Sequence, residues 1–140
     1  MKNFLFSLAF LIVASPTLFA ANASSNPGSD DFKVVSTSRG KASWYGGRWI
    51  GRKTANGEIY RSGDMTAAHK TLPFGTRVRV TDLNTGNSTV VRINNRGPFV
   101  RGRVIDLSEA AASDLGMKRR GVIRVKLEVL ARGKSASNDA

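Results

Sequence analysis

Residues 76–99 read TRVRVTDLNTGNSTVVRINNRGPF. Apolar residues recur at every second position on both sides of the polar centre, with Val78 and Val80 alternating with Arg77 and Arg79, and Val91 and Ile93 flanking Arg92. A period of two sends successive side chains to opposite faces, so each half is a strand with one buried face. Between them Asp82-Leu83-Asn84-Thr85-Gly86-Asn87 supplies the Asn and Gly residues that accept the positive φ of a hairpin connection. Residues 76–94 are therefore expected to form an antiparallel pair. Beyond Ile93 the chain passes through Asn94, Asn95 and Arg96 into Gly97-Pro98, a sharp exit that leaves three polar side chains at the rim of the sheet.

The same period continues downstream. Ile123, Val125, Leu127 and Val129 alternate with Arg124, Lys126 and Glu128, and Arg103-Val104-Ile105-Asp106-Leu107 reads as another short strand. One stretch breaks the rhythm: Ser108 suits an N-cap, Glu109 a first turn, Ala110-Ala111-Ala112 a helix interior and Gly116 its stop. Many short strands with one short helix and no βαβ rhythm give an all-β fold, a small closed barrel over residues 40–131. Residues 24–39, with scattered Phe32, Val34 and Val35, are expected to be a flexible leader, and residues 132–140 a disordered tail.

The first residues set the compartment. Lys2, an apolar run from Phe4 to Val13, Pro16 and the small triplet Ala21-Asn22-Ala23 follow the pattern of a secretory signal peptide. The apolar run is shorter than the roughly 20 residues of a membrane helix. Cleavage after Ala23 is expected, giving a soluble envelope protein with no stable membrane anchor. The sequence has no cysteine, so disulfides, thiolate metal sites and cysteine-linked lipid are excluded. Its formal charge of +12 implies an anionic partner, and for an exported chain that is wall polymer before nucleic acid.

Candidate functional residues fall in two windows. The first runs from Trp44-Tyr45-Gly46-Gly47-Arg48-Trp49 through GRKTANGEIY (51–60) to His69. Aromatic rings stack on the apolar faces of sugars, so Tyr45 and Trp49 are candidate ligand residues, while Trp44 is assigned to the core. Glu58, after the Asn56-Gly57 turn, sits at a loop edge, and His69 is the only imidazole. The second window contains Asn94, Asn95, Arg96 and Asp106. Asp106 lies between apolar neighbours and is assigned a structural role, accepting from a loop backbone or an arginine. Neither a zinc-type HExxH nor a GxSxG, a phosphate-binding glycine loop or a dinucleotide fingerprint occurs, so no metal and no cofactor are expected.

Taken in order, ASWYG (42–46), GRKTANGE (51–58), MTAAHKTLPFGTRVRV (65–80), VRINNRGPF (91–99) and GRVIDLSEAAA (102–112) resemble the RlpA (rare lipoprotein A) family. The resemblance implies a six-stranded double-psi β-barrel and an endolytic peptidoglycan lytic transglycosylase, a carbon–oxygen lyase that leaves 1,6-anhydromuramyl ends and prefers peptide-free glycan strands. It places the family's catalytic glutamate on Glu58, its groove histidine on His69 and its catalytic aspartate, within NDRGP, on Asn95. The amide at 95 is a departure from that pattern. The lipid-attachment cysteine and a C-terminal SPOR domain are also missing, so the barrel is expected to find its own substrate as a monomer. The alternative is a non-catalytic glycan-binding barrel of the expansin type, and a weaker one an anionic-surface or nucleic-acid binder resting on charge alone.

Overall fold

The structure, a computed structural model, describes residues 32–132. The expected signal peptide at 1–23, the first half of the leader and nearly all of the tail lie outside the described residues. Six strands close into a barrel: β1 (Phe32–Trp44), β2 (Thr66–His69), β3 (Arg77–Asp82), β4 (Ser88–Asn95), β5 (Arg103–Leu107) and β6 (Ile123–Arg132), with one helix, α1 (Glu109–Asp114). Around the barrel the order is β1-β5-β2-β4-β3-β6. Two of the neighbours, β1/β5 and β2/β4, run parallel, and the other four antiparallel. This is the double-psi arrangement, with closure removing exposed edges.

The hairpin expected at 76–94 is β3 and β4, in register at Val78↔Val91 and Val80↔Thr89. Val78, Val80, Val91, Ile93, Ile105, Leu107, Val125 and Leu127 fill the interior, and Ala111, Ala112 and Leu115 of the helix segment join them. Ser108 caps α1 by accepting from the Ala111 amide at 3.3 Å, and Gly116 takes φ +68° just beyond it.

Two elements fall outside expectation. Residues 32–39 are strand rather than flexible leader: Phe32 through Ala42 pair with β6 from Arg132 back to Ile123. Most of these side chains are exposed, so the segment is held by the backbone ladder and its β-branched residues, which leave no alternating hydrophobic signature. The second is β2, Thr-Ala-Ala-His, a strand for which no alternating pattern gave an expectation. Ala67 and Ala68 are buried because β2 is clamped between β4 and β5, where small side chains let three strands approach.

Candidate functional site

A cleft of about 400 Å³ opens at one rim of the barrel. Trp44, Tyr45 and Trp49 form one wall, residues 95–100 the other, and Ala68 of β2 lies between Asn95 and Asp106. That placement follows from pairing: Ala68 is in register with Asn95 on β4 and with Asp106 on β5. The two polar residues thus flank one alanine on neighbouring strands, with strand axes about 10 Å apart. Both strands also slip by one residue here. Ala67 pairs with Ile93 but Ala68 with Asn95, and Lys41 pairs with Arg103 but Ala42 with Ile105. Asn94 and Val104 are the extra residues, and such bulges re-aim the side chains beside them.

Asp106 therefore belongs to the cleft. Its Oδ1 accepts from Arg103 Nη2 at 2.5 Å and from the Ser43 hydroxyl, as its structural assignment required of an arginine. Its Oδ2 has no hydrogen bond to the described residues, and Asp106 is the only carboxylate among the described residues lining the cleft. Asn95 Oδ1 accepts from the Ala55 amide at 3.0 Å and from the Arg96 amide at 2.9 Å. These bonds orient the side chain. Beside it, Tyr45 Oη is buried, and burial pushes the phenol up to about 12 against the opposing effect of the Asn95 side chain. The Tyr45 hydroxyl and the Asn95 side chain thus lie against one another, and both residues line the cleft.

The aromatic wall is stacked in sequence. Tyr45 packs on Tyr60 at 4.8 Å between ring centroids and meets Trp49 edge-on at 6.5 Å. Tyr60, itself buried, donates to the Tyr45 carbonyl at 2.9 Å and accepts from the Glu109 amide, tying the wall to α1. Trp49 is half exposed between the guanidinium groups of Arg48 and Arg52. Trp44, assigned to the core, packs against it and also lines the cleft.

Three residues expected in the site stand apart from this cleft. Glu58 is saturated: its Oε1 accepts from Arg92 (2.7 Å) and Asn56 (2.8 Å), its Oε2 from Arg92 (2.9 Å) and Asn94 (3.2 Å). Four donors occupy the four lone-pair positions of a carboxylate. The Arg92 hydrogen bonds, followed by those from Asn56 and Asn94, lower its pKa to about 2. In this fold the Glu58 carboxylate fastens the 51–60 loop to β4 and does not line the cleft. Asn94, expected to meet substrate, is the bulge residue: its side chain is buried, with Nδ2 directed at Glu58.

His69 ends β2 and its Nδ1 accepts from the Thr71 and Leu72 amides, both at 3.1 Å. Burial, then the charges of Arg96 and Lys70, hold its pKa below the usual histidine range. It orders the turn after β2 rather than facing the cleft. Arg96 reaches the cleft wall, but its Nη1 donates to the His69 and Leu72 carbonyls and its guanidinium lies 4.0 Å over Phe74. Sequence reasoning missed Arg92, Arg103, Ser43 and Asn56, all unremarkable by type; the only signal for Arg103 was its spacing of three from Asp106. Among the described residues, no three His, Cys, Asp or Glu side chains are grouped to hold a metal.

Fold and cleft together define a double-psi barrel with an aromatic-walled groove across its rim. The model of the family described as "Lytic transglycolase" matches residues 37–127, and the chain belongs to that family. It is 53% identical over 100 residues to the endolytic peptidoglycan transglycosylase RlpA of Neisseria meningitidis, spanning 71% of this chain and 42% of that one. To the protein of the same name from Vibrio cholerae it is 47% identical over 120 residues, 82% of this chain and 46% of the relative. The chain thus spans less than half the length of these relatives. Two solved structures share the fold at 24% identity: a Streptomyces papain inhibitor (TM-score 0.56, 73% of this chain and all of that one) and a Clavibacter michiganensis expansin (TM-score 0.54, 71% and 52%).

Proposed function

We propose that this chain is an endolytic peptidoglycan lytic transglycosylase of the cell envelope, working as a single copy on peptide-free glycan strands, with Asp106 as the carboxyl that handles the proton. The observation that carries the reading is the cleft itself, where Asp106, Asn95 and Tyr45 share one groove with a tryptophan wall. The activity for which the family's relatives are named supports the substrate.

The bond to be cut joins N-acetylmuramic acid to N-acetylglucosamine. Asp106, in its carboxylic-acid form, gives its proton to the bridging oxygen as the bond from that oxygen to muramyl C1 breaks. Positive charge develops at C1 and the ring oxygen. The resulting carboxylate then takes the proton of the muramyl C6 hydroxyl, whose oxygen bonds to C1 and closes the 1,6-anhydro ring. The proton returns to Asp106, no water is consumed, and one carboxyl serves both steps. Arg103 and Ser43 hold its Oδ1 and leave Oδ2 to the substrate. Asn95 and Tyr45 orient the sugar.

Digestion of peptide-free glycan strands followed by mass spectrometry tests this: 1,6-anhydromuramyl ends are expected, and reducing ends or intact strands would overturn it. A second reading is favoured by the amide at 95: a barrel that binds glycan without cutting it. Pull-down of strands with no anhydro product identifies that case.

A further inference from the structure

A basic surface adjoins the cleft and takes no part in the chemistry above. Lys41 of β1 lies directly across from Arg124 of β6, and Arg39 from Lys126. On its other side Lys41 is in register with Arg103 of the cleft. Arg39, Lys41 and Arg124 line a second depression of about 300 Å³ together with Leu83 and Gly102. Like charges directly opposite on a ladder cost stability. Elsewhere in the barrel acids relieve such crowding: Glu128 pairs with Arg79 and Lys126, Asp82 with Arg120, Glu109 with Lys118. Arg39, Lys41 and Arg124 have no acidic partner among the described residues.

The surface is continuous with the cleft. Arg39, Lys41 and Ser43 share one face of β1, since alternate residues of a strand do, and Ser43 touches Asp106. A polymer leaving the cleft past Arg103 meets Lys41 next, then Arg124 and Arg39. We propose that this track holds the glycan strand beyond the cleft through the carboxylates of its muramyl lactyl groups, and so selects long peptide-free strands over short ones. The proposal rests on the glycan reading of the cleft. A peptide-free strand fits the track because it carries a carboxylate on every second sugar, whereas an N-acetylglucosamine homopolymer carries none.

The test uses the full chain and a variant combining Arg39→Gln, Lys41→Gln and Arg124→Gln, with Lys41→Glu as a second variant that gives Arg124 an acidic neighbour. Binding is measured to a peptide-free tetrasaccharide, to a peptide-free strand several times longer, and to an N-acetylglucosamine oligomer of that greater length. The parent is expected to bind the long strand about tenfold more tightly than the tetrasaccharide, with an advantage that fades as salt rises. Both variants should lose that advantage, and the uncharged oligomer should never show it. Equal length dependence in parent and triple variant overturns the track, as does equal preference for the uncharged oligomer. Loss in the variants of binding to phosphatidylglycerol vesicles, with glycan binding unaltered, also overturns it and assigns the cations to lipid headgroups. Tetrasaccharide binding reports on the cleft alone: if the parent fails to bind it, the glycan reading itself falls, whereas intact tetrasaccharide binding with no length dependence removes only the track.

Discussion

Glu58 and Asp106 are both carboxylates in contact with an arginine at the same end of the barrel, yet they are prepared for different work. Glu58 receives four hydrogen bonds and has no acceptor position left. Asp106 receives both of its bonds on one oxygen, and the other accepts none among the described residues. The difference teaches that a carboxylate's usefulness in proton transfer depends on which lone pairs the fold leaves open. Charge is the same for both and each lies beside an arginine; on the proposed reading, hydrogen-bond saturation separates a fastening from the carboxyl that handles the proton.

Removing each acid in turn separates the two roles. Asp106→Asn is expected to lower turnover on peptide-free glycan by about 10²–10⁴-fold, the range of a lost general acid–base group, with the tetrasaccharide still bound. Glu58→Gln should act mainly on stability. Should Glu58→Gln silence the protein while Asp106→Asn spares it, the two carboxylates have exchanged roles and Glu58 is the proton donor.

Next in size is Asn95→Asp. The new carboxylate would inherit the Ala55 and Arg96 amides on one oxygen, so the fold should tolerate it. It adds a second acid across Ala68 from Asp106, and turnover is expected to rise on the order of 10-fold to 10²-fold if the amide is what limits this chain. An unchanged rate with an active parent would show that Asp106 alone suffices.

The two tryptophans sharpen the contrast between holding the fold and holding the ligand. Trp44→Ala should cost about 2–3 kcal/mol in denaturant unfolding, less than a fully buried tryptophan, and weaken glycan binding as well, since Trp44 touches both core and cleft. Trp49→Ala should leave the unfolding midpoint in place and reduce affinity by up to about tenfold. Matching midpoints for the two variants would contradict this division.

The smallest expected effect is a pH dependence. The pKa of Glu58 in the fold is about 2 against an ordinary 4.5, so its contribution to stability is complete above about 4.5 and is lost as the pH falls toward 2. The difference in melting temperature between parent and Glu58→Gln should therefore be present at neutral pH and shrink across that acid window. A difference that is the same at pH 6 and pH 2.5 would mean that Arg92 does not hold the Glu58 carboxylate as an ion. Screening at this partly exposed pair keeps the effect modest.

Much of the barrel was legible because alternation is a local signal. Val78/Val80, Val91/Ile93 and Ile123/Val125/Leu127 declared their buried faces, the Asn and Gly residues of 82–87 declared the hairpin, and Ser108 with its alanines declared the helix. The first half of β1 and all of β2 were not, because one is held by backbone pairing with exposed side chains and the other by small residues that three strands compress. The site divides in the same way. Sequence by itself determined that aromatic rings, amides and carboxylates would collect at the strand ends around 44–49, 58 and 94–106, since turn and strand-exit residues go to the rim. Only the tertiary structure decided that Asn95 and Asp106 face each other across Ala68, that Asn94 turns inward and that Glu58 is filled by Arg92. Those outcomes depend on two one-residue slips between strands distant in sequence, and register between such strands is set by packing of the closed barrel, which no local pattern encodes.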